Sequence, residues 1–323
     1  MTTPAQRLGV LLMTYGSPAS LDDMPRYLAA VRGGREPDAE LVAEFRRRYQ
    51  VIGGSPLIEI TVAQAAAVEG LLQSEGLDAR AAAGMRFSEP TIAVALAELA
   101  GAGCEAVAAI IMSPQYSELL MSGYQRAVDA AVASLGERAP AVHLAPAWYR
   151  QPSFLDAVAS RIRDALADLP AGNRDRVSLL LTAHSLPRRV AEAEPDYLRQ
   201  LSETASMVAE RAGVPADRWH FCWQSAGHEP GEWMKPDFAD LVPELRAAGH
   251  RSVLVAPIQF LADHLEILYD VDVGARAQAE EAGMTFARIA SLNVDEGFIG
   301  ALAKVAKAEL SAHGALPMVA PVG

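Results

Sequence analysis

The chain predicts an α/β protein made of two similar Rossmann-like domains, each a four-stranded parallel sheet flanked by helices. Three observations predict it. Short apolar runs alternate with longer amphipathic stretches, the pattern of parallel sheets covered on both faces. The pattern then repeats. Leu11-Leu12-Met13-Thr14-Tyr15-Gly16-Ser17-Pro18 is echoed by Leu180-Leu181-Thr182-Ala183-His184-Ser185-Leu186-Pro187, and Ala109-Ile110-Ile111-Met112-Ser113-Pro114-Gln115-Tyr116 by Leu254-Val255-Ala256-Pro257-Ile258-Gln259-Phe260. Finally, 323 residues is a length for about two domains.

The elements follow in order. Strands are expected near Val10–Met13, Arg80–Gly84, Ala106–Met112 and Val142–Ala145, and again near Val177–Thr182, Trp219–Trp223, Ser252–Ala256 and Phe286–Ala290. Each is a short apolar run bounded by polar or turn residues. Helices are expected at Thr61–Gln73, Thr91–Leu99, Ser153–Leu166, Leu201–Arg211 and Leu265–Ala282, where apolar residues recur at helical spacing. The spacing between matched segments is longer in the first half, and the excess maps to Leu21–Tyr49. That stretch reads as two further helices split by Gly33-Gly34, an inserted lid over residues 21–50. The domains are expected at 1–147 and 148–312, with the last helix, 296–311, able to pack back on the first. Residues 313–323 are expected to be a disordered tail. Gly101-Ala102-Gly103-Cys104-Glu105-Ala106 imitates a dinucleotide fingerprint, but a helix precedes it and a strand follows. The reverse order is needed to aim helix N–H groups at a pyrophosphate.

Composition narrows the function. Apolar residues make up 51% and charged residues 21%, enough for sizeable cores. A net charge of −12 argues against nucleic acid and against anionic lipid. The N-terminus lacks the charged start and apolar core of a signal peptide, and no run approaches a membrane span, so a cytoplasmic protein is expected. Cys104 and Cys222 are the only cysteines, too few for a four-cysteine cluster.

The chemistry-bearing residues gather at strand ends, where open α/β sheets bind ligands. His184 ends Leu179-Leu180-Leu181-Thr182-Ala183, and imidazole can accept a proton or bind a metal near neutral pH. Asp263, His264, Glu266 and Asp270 follow the strand at Val253–Pro257. Glu266 and Asp270, four apart, share a helix face, and their repulsion would be relieved by a cation. Such oxygen and imidazole donors suit a divalent first-row metal. Tyr15 ends the first strand. Arg32, Arg35, Arg46, Arg47 and Arg48 lie in the inserted helical pair, and arginine forks suit carboxylates. Ile52-Gly53-Gly54-Ser55-Pro56-Leu57 is a sharp turn that permits close ligand approach. Tyr116, Ser122, Tyr124 and Arg126 cluster after the third strand. For most of these residues taken singly, a capped histidine, a solvated acidic helix start or a buried tyrosine explains the position as well.

Together they are specific. Tyr-Gly-Ser-Pro, Ile-Gly-Gly-Ser-Pro-Leu, Ser-Pro-Gln-Tyr-Ser, Ala-His-Ser-Leu-Pro, Trp-Gln-Ser-Ala-Gly, Glu-Trp-Met-Lys-Pro and Ala-Asp-His-Leu-Glu-Ile-Leu-Tyr-Asp occur in this order. The chain thereby resembles the ferrochelatase family from Leu8 to about Ala308, and is most similar to the soluble coproporphyrin ferrochelatases of Gram-positive type, which share the tyrosine at Tyr15. The resemblance implies a class II chelatase-like fold and insertion of Fe²⁺ into coproporphyrin III, giving coproheme, in heme biosynthesis. It implies that His184 and Glu266 are catalytic. It further implies that Tyr15, Arg32, Arg48, Ser55 and Tyr124 bind the porphyrin, and that His184, Glu266, Tyr15 and Asp270 contact the metal. Fe²⁺ is then a substrate. No cofactor is permanently bound and no [2Fe–2S] cluster is expected. The partners are the porphyrin and Fe²⁺, with transient contact to the preceding or following pathway enzyme. Two departures bear on an outer metal site: Gly274 replaces a glutamate of some relatives, and Arg86-Phe87-Ser88-Glu89 occupies a segment where some carry histidine. The rival readings are a protoporphyrin IX ferrochelatase, a cobalt or nickel chelatase of a reduced tetrapyrrole, a non-catalytic porphyrin or heme carrier, and a periplasmic-type binding protein.

Overall fold

The structure, a computed structural model, describes residues 6–170, 172, 176–226 and 231–317. It divides into two units, one comprising Met1–Met112, Leu120–Trp148 and Asn293–Gly323, the other Ser113–Leu119 and Tyr149–Leu292.

In the first unit, β1 (Leu8–Thr14), β2 (Ala79–Met85), β3 (Ala106–Ile111) and β4 (Ala141–Leu144) form a parallel sheet in the order β2-β1-β3-β4. The two central strands are buried at every position. That is why they read as continuous apolar runs, as strands covered on both faces do. The inserted pair is α1 (Met24–Val31) and α2 (Ala39–Ile52). Asp38 caps α2 by accepting from Leu41 N at 2.8 Å, and Gly53, at φ 74°, ends it in the left-handed conformation that glycine adopts without strain. Two further helices, α3 (Leu57–Ser74) and α4 (Ile92–Gly101), pack on β2. Helix α5 (Glu118–Leu135) follows β3. A Cβ added to Gly84 would lie 2.8 Å from the Ile92 Cα, a backbone atom with no freedom to move aside. Gly84→Ala is therefore expected to destabilise the unit by about 1–3 kcal/mol, as overpacking does. Thermal unfolding checks this, and an unchanged Tm would count against the close packing of β2 on α4.

The second unit repeats the plan. After α6 (Pro152–Asp168), strands β5 (Val177–His184), β6 (Trp219–Gln224), β7 (Ser252–Pro257) and β8 (Thr285–Arg288) form a parallel sheet in the order β6-β5-β7-β8. Helices α7 (Arg188–Ala193) and α8 (Pro195–Ala212) join β5 to β6, and α9 (Phe238–Ala247) precedes β7. Leu180, Cys222, Val253, Val255, Phe238 and Ile267 belong to one buried cluster.

The division redraws the expected boundary. Helix α11 (Glu296–Ala312) packs on α3 and β3, so of the two placements open to the last helix it takes the first unit, and residues 293–312 belong there. Trp148 also belongs there, donating Nε1–H to Ile111 O at 3.2 Å. Ser113–Leu119 goes with the second unit, because Gln115 donates to Thr204 Oγ1 at 3.1 Å and Tyr116 N to Gln200 Oε1 at 2.9 Å. Residues 313–317, expected as the start of a disordered tail, are ordered. His313 stacks on His143 at 3.7 Å, and Ser311 Oγ donates to Pro317 O, whereas residues 318–323 lie outside the described residues.

The stretch expected as one helix, Leu265–Ala282, is a π-helix over Glu266–Ala275 continued by α10 (Arg276–Glu281). The i→i+5 hydrogen-bond step of a π-helix leaves an apolar pattern close to that of an α-helix. π-Segments are rare and often occur at functional sites. Among the described residues no single helix is long and apolar enough to cross a membrane.

Candidate active site

The strand order of the second unit places its chemistry. β5 is followed by β6 on one side and β7 lies on the other, so the connections diverge between β5 and β7. Ligands in such sheets bind beyond the carboxyl ends of strands at this point. His184 is the last residue of β5, and His264 and Glu266 follow β7.

His184 is fixed through its backbone. Its N–H donates to Gln259 Oε1 at 2.8 Å, and Gln259 Nε2 donates to the buried Tyr197 hydroxyl at 2.6 Å. The imidazole Nδ1 lies 2.6 Å from Ser185 O. A carbonyl only accepts, so this contact places a proton on Nδ1. That Nε2 lies 3.5 Å from Glu266 Oε1.

Glu266 also meets His264, whose Nε2 lies 2.6 Å from Oε2 while Nδ1 lies 2.9 Å from Ala262 O. Both ring nitrogens of His264 thus face acceptors, the arrangement of an imidazolium. Burial would lower the His264 pKa, but the Glu266 carboxylate outweighs it and the pKa is raised. Burial would likewise raise that of Glu266, but the hydrogen bond and charge of His264, with His184 nearby, hold it at about 2. Phe260 packs edge-on against both rings, at 6.2 Å from His184 and 4.6 Å from His264.

One carboxylate oxygen is therefore neutralised by His264. The other faces His184 Nε2 at 3.5 Å. A carboxylate oxygen and an imidazole nitrogen so placed can share a cation, either a proton or a metal ion. Among the described residues, no group of three or more His, Cys, Asp or Glu side chains is arranged to hold a metal ion. Asp270, expected at the metal, lies within the π-helix and does not complete such a set. A cavity of this unit, about 660 Å³, is lined by Val242, Pro243, Arg246, Gln278 and Glu281 and includes none of these groups.

The first unit holds the other expected residues. Tyr15 is 43% exposed just beyond β1, and its ring packs against Phe87 at 4.9 Å and Tyr124 at 6.3 Å. Tyr124 is buried, and burial pushes its phenol pKa up. The Arg86 guanidinium lies over all three rings, at 5.7, 4.7 and 5.5 Å, and against Gly123, whose missing side chain leaves room for it. Ser55 lines a cavity of about 640 Å³ with Ser17, Ser20, Leu21, Tyr49 and Ile58. Arg48 is tied to Glu44 Oε1 at 2.8 Å, and Arg32 is exposed at the end of α1. Neither the aromatic contacts of Arg86 nor the pairing of Arg288 with Asp272 is predicted from the sequence. A charged residue ending an otherwise apolar edge strand was the available signal for Arg288.

Comparisons with known proteins show the family and the fold. The sequence profile of the ferrochelatase family matches residues 7–310. A ferrochelatase of Deinococcus radiodurans is 38% identical over 304 residues, covering 94% of this chain and 96% of that protein. Coproporphyrin III ferrochelatases of Geobacillus kaustophilus and Bacillus subtilis are 37% and 33% identical, covering 92% and 93% of this chain and 94% and 97% of their own lengths. Among solved structures, SirB from Bacillus subtilis with Fe³⁺ matches at a TM-score of 0.59 and 12% identity, over 96% of this chain and 98% of that one. At that identity it shows the shared fold. The chain belongs to the ferrochelatase family of enzymes.

Proposed function

We propose that the chain inserts Fe²⁺ into coproporphyrin III, giving coproheme and two protons, as a cytoplasmic enzyme of heme biosynthesis. The observation that carries this is His184 Nε2 facing Glu266 Oε1 at 3.5 Å, with His264 holding the other oxygen. Insertion requires two pyrrole N–H protons to leave and a hydrated dication to shed water. His184 Nε2 accepts a proton, and Glu266, kept anionic by His264, attracts Fe²⁺ and stabilises the imidazolium that forms.

Tyr15, Arg32, Arg48, Ser55 and Tyr124 are the proposed porphyrin contacts. Four propionates give arginine forks and backbone N–H groups charge to bind, and that remote binding energy supports distortion of the ring. Asp270 and Tyr15 are proposed as further metal contacts. With two buried cysteines, in different units, the enzyme is proposed to work without an iron–sulfur cluster. Several relatives bear the coproporphyrin III name and the Deinococcus radiodurans relative the unspecified one, so porphyrin choice is the point to test. Anaerobic Fe²⁺ assays offering coproporphyrin III and protoporphyrin IX together should give a kcat/KM ratio of about tenfold or more for coproporphyrin III, since lost charge partners dominate discrimination. A preference for protoporphyrin IX overturns the substrate assignment.

A further inference from the structure

The segment bearing His264, Glu266 and Asp270 is bracketed by two other carboxylates, Asp263 just before it and Asp272 inside the π-helix. One side chain holds both. Arg288, at the end of the edge strand β8, donates Nε–H to Asp272 Oδ1 at 2.8 Å and Nη2–H to Asp272 Oδ2 at 2.9 Å. The same Nη2 reaches Asp263 Oδ1 at 3.4 Å. Nη1 donates to Ile289 O at 2.8 Å and to Ser291 Oγ at 3.0 Å, and Ser291 Oγ donates to Asp263 Oδ1 at 2.7 Å. The guanidinium is largely buried, its side chain 13% exposed.

We propose that Arg288 is a positioning residue for metal insertion, a fork that pins both ends of the Asp263–Asp272 segment and so sets Glu266 against His184. The inference rests on the proposed function. The physical case has three parts. A π-helix is a rare conformation, and a change of its hydrogen-bond step to the α-helical one would re-aim Glu266. Pinning Asp263 and Asp272 to the edge of the sheet opposes it from both ends. Arg288 also supplies the positive charge that two neighbouring carboxylates require, without using either oxygen of Glu266. Only a planar five-donor fork can serve Asp272 bidentately and Asp263 and Ser291 at once, so lysine keeps the charge but not the geometry.

The test compares Arg288→Met, Arg288→Lys and Asp272→Asn with wild type in anaerobic Fe²⁺ insertion assays, alongside porphyrin Kd from absorbance titration and Tm. Arg288→Met should lower kcat about 10- to 100-fold, the scale of an ångström-sized misplacement, with the porphyrin Kd unchanged. Arg288→Lys should recover part of the loss. Combining Arg288→Met with Asp272→Asn should cost no more than Arg288→Met alone, because the two act through one contact. A folded Arg288→Met with wild-type kcat overturns the inference. So does a loss of kcat matched by an equal loss of porphyrin-binding stoichiometry, which would mean general unfolding. If Arg288→Met does not fold, the lysine and asparagine variants decide by the same criteria. Glu266→Gln, assayed in parallel, separates the two levels. If it retains turnover, the reading of the site fails; if it is inactive while Arg288→Met is not, only the positioning role fails.

Discussion

His184→Ala is expected to reduce Fe²⁺ insertion by about 10²- to 10⁴-fold, the range contributed by a positioned acid–base group. Porphyrin Kd should stay unchanged. The geometry separates the two effects. The ring's Nδ1 is committed to Ser185 O, and its Nε2 faces Glu266, so what the alanine removes is the proposed proton acceptor and metal ligand. The backbone N–H that ties this position to Gln259 survives the substitution. Stopped-flow spectra under anaerobic conditions read insertion as the Soret band shifts, and a titration reads binding. Wild-type turnover in the variant would remove His184 from the chemistry.

Glu266→Gln carries the second large effect. Glutamine keeps the shape and loses the charge. The dication loses its attraction, and the His264 imidazolium loses its counter-charge in a site where burial already disfavours it. Insertion is expected to fall about 10²- to 10³-fold, comparable to removing a preorganised electrostatic partner, with stability reduced by about 1–3 kcal/mol for a broken charged hydrogen bond. The pH dependence of stability separates the two halves of the pair. The His264 pKa is raised above 6.5 in the folded state, so its contribution is full below 6.5 and fades as pH rises through that raised value. The Glu266 pKa is lowered from 4.5 to about 2, so its contribution is full above 4.5 and fades as pH falls towards 2. The pair therefore stabilises most between those limits. Glu266→Gln should flatten both slopes, and denaturant midpoints measured across pH check it. An unaltered profile would show that the two side chains are not paired in solution.

Much of this was legible in the sequence, for physical reasons. The central strands β1, β3, β5 and β7 are covered on both faces, so burial wrote apolar runs that could be found without structure. The internal echo between Leu11–Pro18 and Leu180–Pro187 marked two central strands holding equivalent places in sheets of the same order. His184 could be found because a lone imidazole ends an apolar strand.

What escaped was long-range or subtle in period. The π-helix differs from an α-helix by one residue in its hydrogen-bond step, which an amphipathic pattern of ten residues blurs. The pairing of Arg288 with Asp272, and of His264 with Glu266 rather than with solvent, depends on how loops close after β7 and β8. The same holds for Gly123, whose role depends on a guanidinium from a distant segment. The sequence left open which unit α11 joins, because periodicity shows its packing on α3 and β3 only as one more apolar stripe.

The central claim is that His184 and Glu266 act on one metal ion. A crystal structure of the protein with coproporphyrin III and a divalent ion too slow to insert measures it directly. The account predicts that the ion bridges His184 Nε2 and a Glu266 oxygen, on the side of the ring facing its nitrogens. An ion held elsewhere, with these two groups still facing each other uncoordinated, would contradict it.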